Sequence, residues 1–192
     1  MLKKIVLDLE TQKDFSEVSA KNRNRQLRVS VAGIYSYQED AYRSFEEKEL
    51  VRLGELLQDA DLVIGYNIKQ FDYEVLQPYF SFKLAEIPTL DLLEEIGKAL
   101  GHRIRLDAVA QATLGEGKSG AGKNATALWR NGRIDELKSY CLKDVELTRR
   151  LYDYATEHGK LMFKDFFSNR EIPLKIVEPT ERTNVARQRS LF

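Results

Sequence analysis

The sequence predicts an α/β domain with a mixed central sheet, an antiparallel β-meander followed by parallel strands, flanked by helices. Three features carry that prediction: an apolar strand near the start that stops at two acids, two β-rich segments directly after it, and then a helix, a short apolar strand and further helices. Consecutive strands joined by short loops pair antiparallel, whereas a strand, helix, strand order implies a crossover and parallel pairing.

The opening segment reads M-L-K-K-I-V-L-D-L-E, with Ile5, Val6 and Leu7 running into Asp8 and Glu10. Strand side chains alternate, so Asp8 and Glu10 share one face, their Cα atoms about 6.5 Å apart, and Leu9 packs on the other. Two carboxylates so spaced can reach hard cations such as Mg²⁺ or Mn²⁺. An edge strand fraying into a solvated acidic loop is the alternative reading of the same residues.

Residues 11–26 form a polar loop carrying Lys13, Lys21, Arg23 and Arg25, either simply solvated or placed to hold a phosphate backbone beside the acids. Residues 27–37 alternate and are rich in β-formers, and residues 41–45 supply their hairpin partner. Residues 46–58 place Leu50, Leu53, Leu56 and Leu57 at helical spacing behind an acidic first turn. The run L-V-I-G at 62–65 reads as a buried strand, followed by Y-N-I-K-Q-F-D. Val75, Leu76 and Tyr79 then predict a helix over 71–82 with Asp72 in its first turn, where an acid also stabilises the positive helix end.

Residues 88–93 read as an extended segment feeding a helix that Gly101 closes, and 106–114 as a second short helix that includes Asp107. The stretch G-E-G-K-S-G-A-G-K-N at 115–124 has the glycine and lysine spacing of a P-loop, but Asn124 stands where Ser or Thr would bind Mg²⁺ and no apolar strand precedes it. A basic loop presenting Lys118 and Lys123 to phosphates is the reading adopted. Ile134, Leu137, Cys141, Leu142, Val145, Leu147 and Leu151 predict one long amphipathic helix over 133–154. It sets Tyr140 and Asp144 one turn apart on one face, although a buried tyrosine hydroxyl also needs a partner for purely structural reasons. A hairpin over 160–167 and 172–177 follows, and residues 1–178 are expected to form one domain with 179–192 a flexible tail.

The bulk numbers narrow the function classes. With 192 residues, 43% of them hydrophobic, the chain suffices for one sizeable core. Its 30 basic and 30 acidic side chains cancel, so no global positive field marks it as a nucleic-acid binder and any polyanion site has to be local. The single cysteine, Cys141, excludes an internal disulfide, and neither a signal-peptide layout nor a membrane-spanning run is present. A cytoplasmic protein without a membrane partner is expected.

Taken together, D-L-E, N-I-K-Q-F-D and Y-C-L-K-D resemble, in order and spacing, the three motifs of the DEDD 3′–5′ exonucleases, and the tyrosine before the last acid marks their DEDDy branch. The chain is similar to bacterial stand-alone exonucleases related to the exonuclease domain of family B DNA polymerases, over about residues 3–177. T-L-D-L-L and L-D-A-V-A-Q-A-T-L-G also resemble that family. The resemblance implies an RNase H-like fold and two-metal hydrolysis of single-stranded DNA from the 3′ end, in the service of DNA repair or replication. It implies that Asp8, Glu10, Asp72 and Asp144 hold two Mg²⁺ or Mn²⁺ ions and that Tyr140 aims the attacking water. Leu9, Thr11, Asn67 and Phe71 would meet the terminal nucleotide, with Lys118 on a phosphate; core packing is the competing reading for Phe71.

The physical case stands beside the resemblance. Two cations about 3.5 to 4 Å apart can clamp a phosphodiester, and four crowded carboxylates would otherwise repel one another. The closing Q-R-S-L-F is similar to the short peptide by which bacterial replication and repair proteins dock on the sliding clamp. Gln188, Leu191 and Phe192 would be its anchors, unless those side chains fold back on their own domain. An exoribonuclease trimming RNA and a non-catalytic nucleic-acid or clamp adaptor are the competing functions. The four intact acids weigh against the adaptor.

Overall fold

The computed structural model describes residues 2–117, 125–165 and 168–176. Strand β1 (Lys4–Thr11) lies at the centre of a five-stranded sheet. It pairs antiparallel with β2 (Val29–Ser36), which pairs antiparallel with β3 (Ala41–Glu46). Helix α1 (Leu50–Asp59) then carries the chain across to β4 (Leu62–Gly65), parallel to β1, and β5 (Thr89–Asp91) lies parallel to β4. The order is therefore β3-β2-β1-β4-β5, the meander followed by parallel strands. Around it stand α2 (Asp72–Leu76), α3 (Leu92–Leu100), α4 (Leu106–Leu114), α5 (Ala125–Arg130) and α6 (Ile134–His158). A separate hairpin, β6 (Lys160–Lys164) with β7 (Asn169–Pro173), follows. Among the described residues no helix is long and apolar enough to cross a membrane.

The period of β1 decides where the site lies. Ile5, Leu7 and Leu9 enter the core layer that holds Leu53 and Leu57 of α1 and Val75 and Leu76 of α2. Val6 faces the opposite layer, with Val145, Leu147 and Leu151 of α6. Asp8 and Glu10 follow Val6 on that same face, so two acids replace the next two apolar side chains under α6. Helix α6 comes close because Gly33 sits opposite Asp8 on β2. A Cβ at Gly33 would lie 3.0 Å from Cys141 Sγ and 3.1 Å from the side chains of Leu142 and Val145.

Several boundaries differ from the sequence expectation for identifiable reasons. The helix expected over 71–82 ends at Leu76 and continues as a 3-10 turn over Gln77–Tyr79. Pro78 lacks the N–H that would continue the helical ladder to the Glu74 carbonyl, while Gln77 before it keeps helical backbone. Helix α6 runs past Tyr154 to His158, where Gly159 takes the left-handed conformation with φ 67° and stops it. The second hairpin strand begins at Asn169 rather than 172, because Leu161 pairs with Ile172. Helix α5, six residues long, has no periodic apolar stripe to announce it.

Candidate active site

Three carboxylates converge between β1 and α6. Asp8, Glu10 and Asp144 each present an oxygen, and these oxygens all lie within 4.8 Å of one another. The first two come from alternate positions of one strand, and the third from the buried face of α6, where Asp144 is 5% exposed. Tyr140, half-buried, stands one helical turn before Asp144.

Asp72, at the start of α2, lies outside that spacing yet is tied to it. Its carboxylate accepts from its own backbone N–H and from that of Leu9, the residue between the two β1 acids. Burial, and then the charges of Asp91 and Glu10, push the Asp72 carboxyl well above the usual carboxylate range. Its Oδ1 is buried with no hydrogen-bond partner among the described residues. Such an orphaned oxygen beside three clustered carboxylates is a donor set of hard oxygens and suits Mg²⁺ or Mn²⁺.

Behind the acids lies Cys141, fully buried, its Sγ 3.5 Å from the carbonyl oxygen of Asp8 and 3.9 Å from Asp8 Oδ2. Burial pushes this thiol up, and the charges of Asp8, Glu10, Asp144 and Asp72 add to it. All four acids thus act on one buried point at the back of the site.

The model of the RNase H superfamily matches residues 7–156, from the second half of β1 through nearly all of α6, and so spans all four acids and Tyr140. The chain belongs to the RNase H superfamily. No curated protein matches it. Among solved structures it is similar to the family B DNA polymerase from the hyperthermophilic archaeon Pyrobaculum calidifontis, with a TM-score of 0.58 and 17% identity. That likeness covers 81% of this chain and 24% of the polymerase, so the chain spans about a quarter of that protein, and at this identity the likeness is one of fold.

Within this RNase H superfamily domain the other expected contacts are placed unevenly. Leu9, expected to meet the terminal nucleotide, is 4% exposed in the core on the opposite face, and its backbone N–H rather than its side chain reaches Asp72. Thr11 donates its hydroxyl to the carbonyl of Lys13 at 3.0 Å. Asn67 adopts a left-handed conformation, φ 67°, and its side-chain oxygen accepts from Arg103. Phe71, half-buried, directly precedes α2 and packs against the core. Lys118, Lys123, Gln188, Leu191 and Phe192 lie outside the described residues.

Three contributors were not singled out from the sequence. Phe15 is 49% exposed, its ring edge-on to Phe71 with centroids 6.1 Å apart and the Arg23 guanidinium 4.7 Å from its centroid, so an aromatic pair with a cation flanks the start of α2. Arg103 joins the Asn67 segment through Gln70 at 2.8 Å as well as through Asn67. Asp91, buried at the end of β5, accepts from the backbone N–H groups of Asn67 at 2.8 Å, Lys69 at 3.2 Å, Leu93 at 3.0 Å and Glu94 at 3.3 Å. It caps α3 and fastens the segment leading to Asp72 in one stroke. A lone acid directly before an apolar helix, as in T-L-D-L-L, is the sequence signal for such a cap. Asp91→Ala is expected to destabilise the fold by about 3 kcal/mol, the sum of a lost cap and of unsatisfied buried donors. Urea unfolding measures this, and a loss below about 1 kcal/mol would mean that the Asn67 segment is held by other contacts.

Proposed function

We propose that the chain is a divalent-metal-dependent 3′–5′ exonuclease that removes nucleotides from single-stranded DNA. The observation that carries this reading is the convergence of Asp8, Glu10 and Asp144 within 4.8 Å, with the buried Asp72 held against Leu9 beside them. The resemblance of D-L-E, N-I-K-Q-F-D and Y-C-L-K-D to the DEDDy motifs supports the direction of attack.

In this reading Asp8, Glu10, Asp72 and Asp144 hold two ions, Mg²⁺ or Mn²⁺. When bound, such ions supply an activated water and compensate charge at a phosphodiester. The carboxylates fix where the scissile phosphate sits, and the Tyr140 hydroxyl hydrogen-bonds the attacking water and sets its line of approach. Water adds across the bond between phosphorus and the 3′-oxygen, releasing a nucleoside 5′-monophosphate and leaving a shortened strand with a free 3′-hydroxyl. The rings of Phe71 and Phe15 offer a stacking surface that accepts any base, as digestion without sequence preference requires.

Two measurements test the assignment. DNA and RNA strands of equal sequence, labelled at the 5′ or the 3′ end, are digested with Mg²⁺ or Mn²⁺. The reading expects a descending ladder from 5′-labelled DNA and immediate release of a labelled mononucleotide from 3′-labelled DNA. Faster digestion of the RNA would transfer the activity to RNA trimming, and internal cuts would remove the exonuclease reading. Tyr140→Phe is expected to slow the chemical step by about ten- to a hundredfold, since one orienting hydrogen bond is lost. Metal affinity should be retained, and a loss of affinity with the loss of rate would instead make Tyr140 a support of the ligand set.

A further inference from the structure

Beside the Asn67 segment lies a groove of about 540 Å³ between residues 102–105, Ala108 on α4 and residues 163–165 at the end of β6. Ile104, Ala108 and Phe163 give it apolar walls, and the Phe163 ring meets His102 edge-on with centroids 6.3 Å apart. Arg103, Arg105 and Lys164 also line it, all three exposed. Its one lining carboxylate among the described residues, Asp165, is already ion-paired to Arg170 at 2.5 Å.

Elsewhere on this electroneutral chain many exposed cations are neutralised by neighbours, as Arg25 is by Glu74, Arg133 by Glu136 and Lys160 by Glu171. Here Arg103 donates to the neutral amides of Gln70 and Asn67, and no described carboxylate pairs with Arg103, Arg105 or Lys164. Uncompensated cations around an apolar, ring-bearing wall match a strand of nucleic acid, phosphates on the cations and a base on the ring. The groove is also anchored to the segment that leads to Asp72. Tyr66 donates its hydroxyl to the Ile104 carbonyl at 2.7 Å, and Arg103 further lines a cavity of about 240 Å³ that includes Asn67 and Asp91.

We propose that this groove is a second nucleotide subsite. It takes an internal nucleotide of a single strand whose 3′ end lies at the acids, with its phosphate between Arg105 and Lys164 and its base against Phe163. That the strand ends at the acids rests on the exonuclease reading, whereas the subsite itself is tested by binding alone.

Fluorescence anisotropy is measured in EDTA with labelled oligothymidylates of about four and about twelve nucleotides over a range of salt. Arg105→Ala combined with Lys164→Ala is expected to weaken binding of the longer strand about tenfold and to flatten its salt dependence by about 0.7 log units per log unit of salt, the value for one lost phosphate contact on a single strand. Binding of the shorter strand should hardly change. Arg105→Lys with Lys164→Arg, which keeps both charges, should restore most of the affinity. Equal affinity and slope in wild type and double alanine variant would overturn the proposal. So would an equal loss at both lengths together with a matching loss of thymidine monophosphate binding, which would make the groove a site for free nucleotides. If the longer strand binds through these cations but no strand is digested with Mg²⁺ present, the subsite stands and the nuclease reading falls. If strands are digested and the double variant binds them unchanged, the subsite falls and the nuclease reading stands.

Discussion

Asp8→Asn is expected to lower the rate of strand hydrolysis by at least about a thousandfold while the protein stays folded. The side chain lies near the middle of β1, directly across from Gly33 and under α6, and its oxygen is one of three within 4.8 Å. Asparagine keeps its shape and loses its charge, so the packing against Cys141 survives while the donor set loses a carboxylate. Metal ions contribute several kcal/mol of charge stabilisation in phosphoryl chemistry, and at about 1.4 kcal/mol per factor of ten that corresponds to about three orders of magnitude. Asp144→Asn should behave alike, because it offers the same kind of oxygen from the helix side. Single-turnover digestion of a labelled strand, with circular dichroism to confirm folding, gives the answer. Wild-type rates in either variant would remove the acids from the chemistry.

The second large effect concerns stability and its dependence on pH. Asp72 is 3% exposed and its carboxyl is held well above the usual range, first by burial and then by Asp91 and Glu10. A carboxyl with a raised value in the folded state keeps its proton there after the unfolded chain has released it. The folded state then binds more protons than the unfolded one, and stability falls as pH rises. With divalent cations chelated, the wild type should therefore be most stable near the unfolded carboxyl value of about 3.9 as far as this group is concerned, and lose stability up to the raised value. Asp72→Asn should remove that slope and raise the melting temperature at neutral pH under chelation. Saturating Mg²⁺ reverses the comparison, because a ligand at about a hundred times its dissociation constant stabilises the folded state by about 2.7 kcal/mol, a gain the variant should largely lose. Thermal melts across pH with EDTA or Mg²⁺ measure both effects. Parallel pH slopes for the two proteins would show that Asp72 carries no such load.

The elements that were legible in the sequence are those whose signal is local. The two-residue period of β1 places Asp8 and Glu10 on one face, and the stripe from Ile134 to Leu151 places Tyr140 and Asp144 on one side of α6. What remained hidden depends on contacts between distant residues. Asp91 holds the N–H groups of Asn67 and Lys69 more than twenty positions away. Cys141 reads as a lone apolar residue until α6 is laid over Asp8. Phe15 sits in a polar loop where nothing local separates a stray ring from one paired with Phe71. The shortening of α2 was readable from Pro78, but the apolar spacing through Tyr79 pointed the other way.

The most direct test of a shared cation centre at β1, α2 and α6 is a calorimetric titration with Mn²⁺ near neutral pH, repeated in two buffers of different ionisation enthalpy. The wild type is expected to bind Mn²⁺ and, at each pH where the raised Asp72 carboxyl still holds its proton, to release it on binding, since that carboxyl must ionise to serve as a ligand. Asp8→Asn and Asp144→Asn should lose most of that affinity, and Asp72→Asn should lose most of the proton release. Failure of the wild type to bind Mn²⁺ at millimolar concentration, or equal binding by the Asp8→Asn and Asp144→Asn proteins, would contradict it.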